Sequence, residues 1–121
     1  MTPMQRTRAV LKENNLKSWI VEYWNPWAKH RIDLFNIIDM IVLDSGIIGI
    51  QVCGSDLSSH KTKIMEEYKD NTFAWLNAGG LLKVWAWRKL KKKRGGNATY
   101  WKPRIITVSI VQGELYWEEA K

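Results

Sequence analysis

The chain has 121 residues, enough for one compact domain and too few for two of ordinary size, and its 45% apolar content excludes global disorder. Nineteen Lys and Arg against twelve Asp and Glu give a formal charge of +7, which favours an anionic partner, nucleic acid before a membrane surface. No apolar run reaches the roughly 18 residues of a spanning helix, Met1 to Asn15 carries no apolar leader, and the single cysteine, Cys53, excludes an internal disulfide framework. A cytoplasmic domain without a membrane partner is expected.

Thr2-Pro3 predicts the capped start of a first helix, with Val10 and Leu11 inward and Asn14-Asn15 ending it. Trp19 to Trp24 reads as a strand, broken by Asn25-Pro26 and followed by a polar loop to about Asp33. Ile37 to Leu43 reads as a second strand, Asp44-Ser45-Gly46 as a tight hairpin turn, and Ile47 to Cys53 as a third strand. Strands apolar on both faces belong in the centre of a covered sheet. Ser58-Ser59 is a plausible cap for a long helix ending near Ala78-Gly79-Gly80, with Ile64, Met65, Tyr68, Trp75 and Leu76 buried. Leu81 to Trp87 and Arg104 to Val111 complete the strands, and Glu114 to Lys121 reads as a tail or last turn. The expected fold is one α/β domain over residues 1–121, with a mixed central sheet flanked by helices in the order α-β-β-β-α-β-β.

Charge is unevenly placed. Asn71 to Gly113 holds no acidic residue and nine basic ones, among them Arg88, Lys89, Lys91, Lys92, Lys93 and Arg94. The bland reading is a solvated hairpin loop that aids solubility. The sharper one is phosphate contact, supported by the interleaved Trp85, Trp87, Tyr100 and Trp101. Arg31 and His60 are further candidates for phosphate contact.

Two polar residues interrupt the apolar strands: Asp39 between Ile38 and Met40, and Gln51 between Ile50 and Val52. A hairpin turning at Ser45-Gly46 lays them side by side. A buried carboxylate needs a metal or strong donors to stay ionised, so an aspartate with a neighbouring oxygen ligand is a workable seat for Mg²⁺ or Mn²⁺. The alternative is an aspartate at a strand end, bonded to backbone. Glu22 and Asp33 are additional acids, each equally readable as a surface ion pair. His30 and His60 lack zinc-ligand spacing with the cysteine or each other. No phosphate loop and no nucleophile elbow occurs.

The segment VEYWNPWAKHRIDLFNIIDMIVLDSGIIGIQV, followed by WLNAGGLLKVWAWRKL, resembles a group of small phage and bacterial proteins of the PD-(D/E)XK nuclease superfamily, which has the restriction-endonuclease-like fold. The resemblance covers roughly Val21 to Leu90, and RIDLFNIID with GIQV is its strongest piece. It implies a Mg²⁺-dependent (or Mn²⁺-dependent) DNA endonuclease, with Holliday-junction resolution on branched DNA among the activities of the superfamily and a homodimer by analogy with resolvases. Asp39 would be the metal-binding aspartate, Gln51 would replace the usual glutamate, and the Val52 carbonyl would complete the site. Cys53 falls where the motif lysine belongs, and a thiol cannot act there as a cation. A lysine from the following helix can compensate. Lys61 is favoured by helical spacing and Lys63 by the match to the group's helix, with Lys61 slightly ahead. Glu22 belongs to the same pattern as an additional acid. The competing implication is a nucleic-acid-binding module of this fold that has lost catalysis.

The basic segment carries its own test. Replacing Lys91, Lys92, Lys93 and Arg94 with Ser is predicted to weaken DNA binding and flatten its salt dependence, each lost phosphate contact reducing the slope of log affinity against log salt by roughly 0.9. An unchanged slope in a salt titration by fluorescence anisotropy would show that the segment does not meet DNA.

Overall fold

A computed structural model describes residues 1–121. Helix α1 (Pro3–Glu13) opens with a reciprocal cap: the Gln5 amide donates to Thr2 Oγ1 at 3.1 Å, and the Thr2 amide donates to Gln5 Oε1 at 2.8 Å. Strands follow as β1 (Lys17–Ile20), β2 (Tyr23–Asn25), β3 (His30–Ile32), β4 (Met40–Leu43) and β5 (Ile47–Cys53). Helix α2 (Leu57–Thr62), a π-helical turn (Lys63–Glu67) and α3 (Lys69–Asn77) lead to β6 (Leu81–Lys91), β7 (Thr99–Val111) and β8 (Glu114–Glu119). The fold is mixed α/β. Its six-stranded sheet runs β1-β4-β5-β6-β7-β8, parallel only between β5 and β6, while β2 and β3 form a separate hairpin.

Alternation along the central strands sorts the core into two layers. Met40, Val42, Ile48, Ile50, Trp85 and Trp87 face Leu11 of α1. Cys53, Leu82, Val84, Ala86, Ile106 and Val108 face Ile64 and the half-buried Leu57, Met65, Trp75 and Leu76 of the second helical layer. Gln51 alternates with Ile50 and Val52 and therefore belongs to this second layer. Gly49 shares that face, and it lets Ile38 lie directly against the strand. A Cβ there would stand 2.6 Å from Ile38 Cδ1. That contact seats the Leu34–Asp39 segment from which the candidate site is built.

Several elements differ from the sequence reading. The loop expected to about Asp33 carries β3, paired with β2, and Asp56 rather than Ser58-Ser59 stands at the N-cap of α2. The Trp19–Trp24 strand ends at Ile20, because the Val21 and Glu22 amides both turn onto the Asp39 carbonyl, at 2.9 and 3.2 Å. The Ile37–Leu43 strand begins only at Met40: the Asn36, Ile37 and Ile38 amides bond back to Asp33 and Leu34 in tight turns, with Phe35 and Asn36 at positive φ. The long helix is broken, since the π turn and Tyr68 (φ −113°) interrupt it. Thr72 Oγ1 donates to the Ile64 carbonyl at 2.8 Å, while the Tyr68 carbonyl accepts the Thr72 amide at 3.0 Å. Arg88, Lys89 and Lys91 lie on β6, whose pairing with β7 runs out to Lys91–Thr99, so the basic segment is a two-stranded arm with only Lys92–Ala98 as its connection. Finally, Glu114–Glu119 is an edge strand, tied to β7 by a two-pronged Arg104–Glu119 ion pair at 2.7 and 3.1 Å.

One polar link crosses the α1 layer. The buried Trp87 indole N–H donates to Thr7 Oγ1 at 2.9 Å, and the hydroxyl donates onward to the Pro3 carbonyl at 3.0 Å. Thr7→Val keeps the shape but leaves the indole without an acceptor, so a loss of about 1–3 kcal/mol is predicted in urea unfolding. An unchanged midpoint would show that this bond adds nothing net.

Candidate acidic site

The β4–β5 ladder ends at Met40–Ile50, and one further bond, from the Asp39 amide to the Ile50 carbonyl at 2.9 Å, closes it. Beyond it the Val52 N–H has no strand partner on that side. Asp39 turns its own carboxylate onto it: the Val52 amide donates to Asp39 Oδ2 at 2.8 Å. Asp39 is 6% exposed. Its side chain lies opposite Met40 and hence on the Gln51 face of the sheet.

Gln51 is fully buried and organises its neighbours. Its amide nitrogen donates to Asp33 Oδ2 at 3.1 Å and to the Ile37 carbonyl at 2.9 Å, which fixes its orientation, because both partners only accept. Its Oε1 therefore accepts from His60 Nδ1 at 3.1 Å, and His60 Nε2 stands 3.1 Å from Asp56 Oδ2. Lys63 Nζ donates to the same Asp33 Oδ2 at 2.6 Å. Carboxylate oxygens of Glu22, Asp33 and Asp39 lie within 4.8 Å of one another, with Arg31 3.7 Å from Glu22.

These carboxylates cannot all ionise freely. Burial, together with the hydrogen bond and charge of Asp33, pushes Asp39 up to about 8, against the pull of the Val52 N–H. Burial acts on Asp33 in the same sense, but hydrogen bonds from Asp39, Lys63 and Gln51 outweigh it and hold Asp33 below the usual range. Burial also raises Glu22, with Arg31 opposing. One proton is thus held between two carboxyl groups, as in other close carboxyl pairs.

The placement of the expected site residues is specific. Asp39 and Gln51 share one face and meet through Asp33. Gln51 turns its nitrogen toward the acids and Val52 meets Asp39 through its N–H, and the carboxylate oxygens gathered beside Asp39 are those of Glu22 and Asp33. Lys61 stays exposed, with its ammonium 5.4 Å from the Trp117 ring, whereas Lys63 reaches the acids. Their expected ranking is reversed, since Ile64 is the centre of the buried face and His60 and Lys63 flank it toward the site. Cys53 is buried, and burial with the charges of Asp56 and Asp39 pushes its thiol up to about 12. His60 does come near the cysteine after all, because Cys53, Asp56 and His60 offer ligand atoms within 4.8 Å of one another. That cluster joins a strand end to a helix start, and no linear spacing rule announces it.

The basic residues fall into two places. Arg31 is beside Glu22 on β3. Arg88, Lys89 and Lys91 are on β6, with Lys92, Lys93 and Arg94 in the connection beyond it. Because β6 runs parallel to β5 and pairs Ala86 with Cys53, the arm continues past the strand end that carries Gln51. Arm and acidic cluster therefore share one end of the sheet. Asp33, expected only as an additional acid, accepts bonds from both Gln51 and Lys63. Tight turns at Phe35 and Asn36 fold it back onto Asp39, and the linear spacing carries no signal of them. No protein-family model, no curated protein and no solved structure matches this chain.

The Asp39 proton has a measurable consequence. The folded protein keeps a proton that the unfolded chain releases near 3.8, so Asp39 makes stability fall as pH rises from about 4 to about 8 and level off above. Asp39→Asn still offers an acceptor to Val52 and removes this titration. Urea midpoints measured in chelator should therefore diverge in favour of Asn across that window, and parallel pH profiles would refute the raised carboxyl.

Proposed function

We propose that the protein is a divalent-cation-dependent DNA endonuclease of restriction-endonuclease-like design. The observation that carries this reading is the meeting of Glu22, Asp33 and Asp39 at one strand end with Lys63 bonded to Asp33. Three carboxylates form an oxygen donor set, the kind that suits Mg²⁺ or Mn²⁺ rather than softer metals. That donor set fits a hard cation, whose charge would stand where Asp39 otherwise needs a proton. A divalent cation bound there supplies Lewis-acid polarisation of a phosphodiester.

The chain's own groups have separate tasks in this reading. Glu22, Asp33 and Asp39 hold the cation. Lys63 supplies the positive charge that a motif lysine at position 53 would otherwise provide, acting on charge that develops at phosphate. Gln51 is a positioning residue that orients Asp33 on one side and His60 on the other. The basic arm grips the backbone at the same end of the sheet. Branched DNA is included among the substrates, and a two-fold pair of chains would suit its two equivalent strands.

A second reading has its own support. Cys53 at the motif position is buried and keeps its proton, and the Gln51 amide is wholly engaged, as in a nucleic-acid-binding module that has left catalysis behind.

The two readings separate in one assay on duplex, single-stranded and junction DNA, with Mg²⁺ or Mn²⁺ against chelator. Cleavage that requires the cation, disappears in Asp39→Asn and falls roughly 100-fold or more in Lys63→Ala supports the nuclease. DNA binding should survive both substitutions, and Lys61→Ala should leave the rate unchanged. Binding without cleavage under every cation condition would establish the module instead.

A further inference from the structure

The chain leaves the acidic cluster at Glu22 and returns to it at Asp33, and the excursion between them is the β2–β3 hairpin. This hairpin displays aromatics instead of burying them. Tyr23 and Trp24 are each 57% exposed and Trp27 is 94% exposed. The display is built, because Asn25 holds the turn from within. Its Oδ1 accepts from the Trp27 and Ala28 amides at 2.9 and 3.2 Å, its carbonyl accepts from Lys29 at 2.8 Å, and Lys29 takes a positive φ of 56°. Trp24 stands directly opposite Arg31 in the antiparallel register, so an indole plane and a guanidinium share one face. Lys29 and His30 add basic groups to the same hairpin, and of the two acids that flank it Glu22 is paired to Arg31 and Asp33 to Lys63.

We propose that the β2–β3 hairpin is a stacking platform for unpaired nucleotides of single-stranded DNA, with bases on Trp24 and Trp27 and phosphates met by Arg31 and Lys29. Planes alternating with cations match the alternation of base and phosphate along a strand, whereas an apolar protein partner calls for contiguous apolar surface. The indole faces are sequence-tolerant, since every base offers a π-face. The proposal rests on the nuclease reading in one respect: a strand held here leads directly to Glu22 and Asp33, so an unpaired segment beside the scissile position becomes the preferred substrate feature.

Binding can be tested apart from cleavage, with the full chain in chelator and a fluorescein-labelled oligothymidine against a duplex of equal length. Trp27→Ala and Trp24→Ala are each expected to weaken oligothymidine binding roughly tenfold while changing duplex binding little, and Trp24→Phe should retain most of the affinity. Circular dichroism and thermal melting should match the parent, because these side chains lie outside the core. Equal losses on both DNAs, no loss on either, or a parent that does not bind oligothymidine would each overturn the platform. Stacking that persists in a chain unable to cleave would retire the nuclease reading alone. Cleavage by a chain whose tryptophans are indifferent to single strands would retire the platform alone.

Discussion

Much of the molecule turns on the bond between the Val52 amide and the Asp39 carboxylate. Where β4 stops, the central strand β5 would otherwise expose a buried N–H, and such a group costs about as much as a lost hydrogen bond. A carboxylate supplies the acceptor. It must then be buried itself, and the environment that buries it also contains Asp33 and Glu22. The backbone requirement at one strand end thus brings negative charge together in a place where it is poorly solvated.

The surrounding groups are arranged around that excess. Lys63 and Gln51 act on Asp33, and Arg31 acts on Glu22, leaving Asp39 as the member that retains a proton. In a low-dielectric site a proton balances oxygens that could not all carry full charge. Gln51 cannot exchange roles easily, because both amide hydrogens and the carbonyl oxygen are engaged. A glutamate there would add a fourth carboxylate against Asp33 and the Ile37 carbonyl.

Strand direction decides what lies near this cluster. The single parallel pair, β5 with β6, puts the acidic strand end and the root of the basic arm on the same side of the sheet. Antiparallel pairing there would have sent the cations to the opposite end. The helical layer contributes through its first turns, where His60 and Lys63 face the strand while Lys61 leans to Trp117 on β8. The π turn begins at Lys63 itself and interrupts the helix directly after the residues that face the strand.

The sequence by itself determined the local features whose causes are local. The Thr2-Pro3 cap, the Asp44-Ser45-Gly46 turn and the apolar central strands follow from neighbouring residues, and the hairpin at that turn lays Asp39 beside Gln51. Long-range features were not legible. A strand is defined by its partner, so the apolar run Ile37–Ile38 was indistinguishable from strand until turns at Phe35 and Asn36 claimed its backbone. Basic and acidic runs beyond the core looked like loop and tail because pairing along β6, β7 and β8 does not require apolar alternation. Likewise, helical spacing identified a buried face centred on Ile64 but not which flank met the site. Whether Lys61 or Lys63 reached the acids depended on how that helix docks across the sheet, and docking is set by packing over the whole layer.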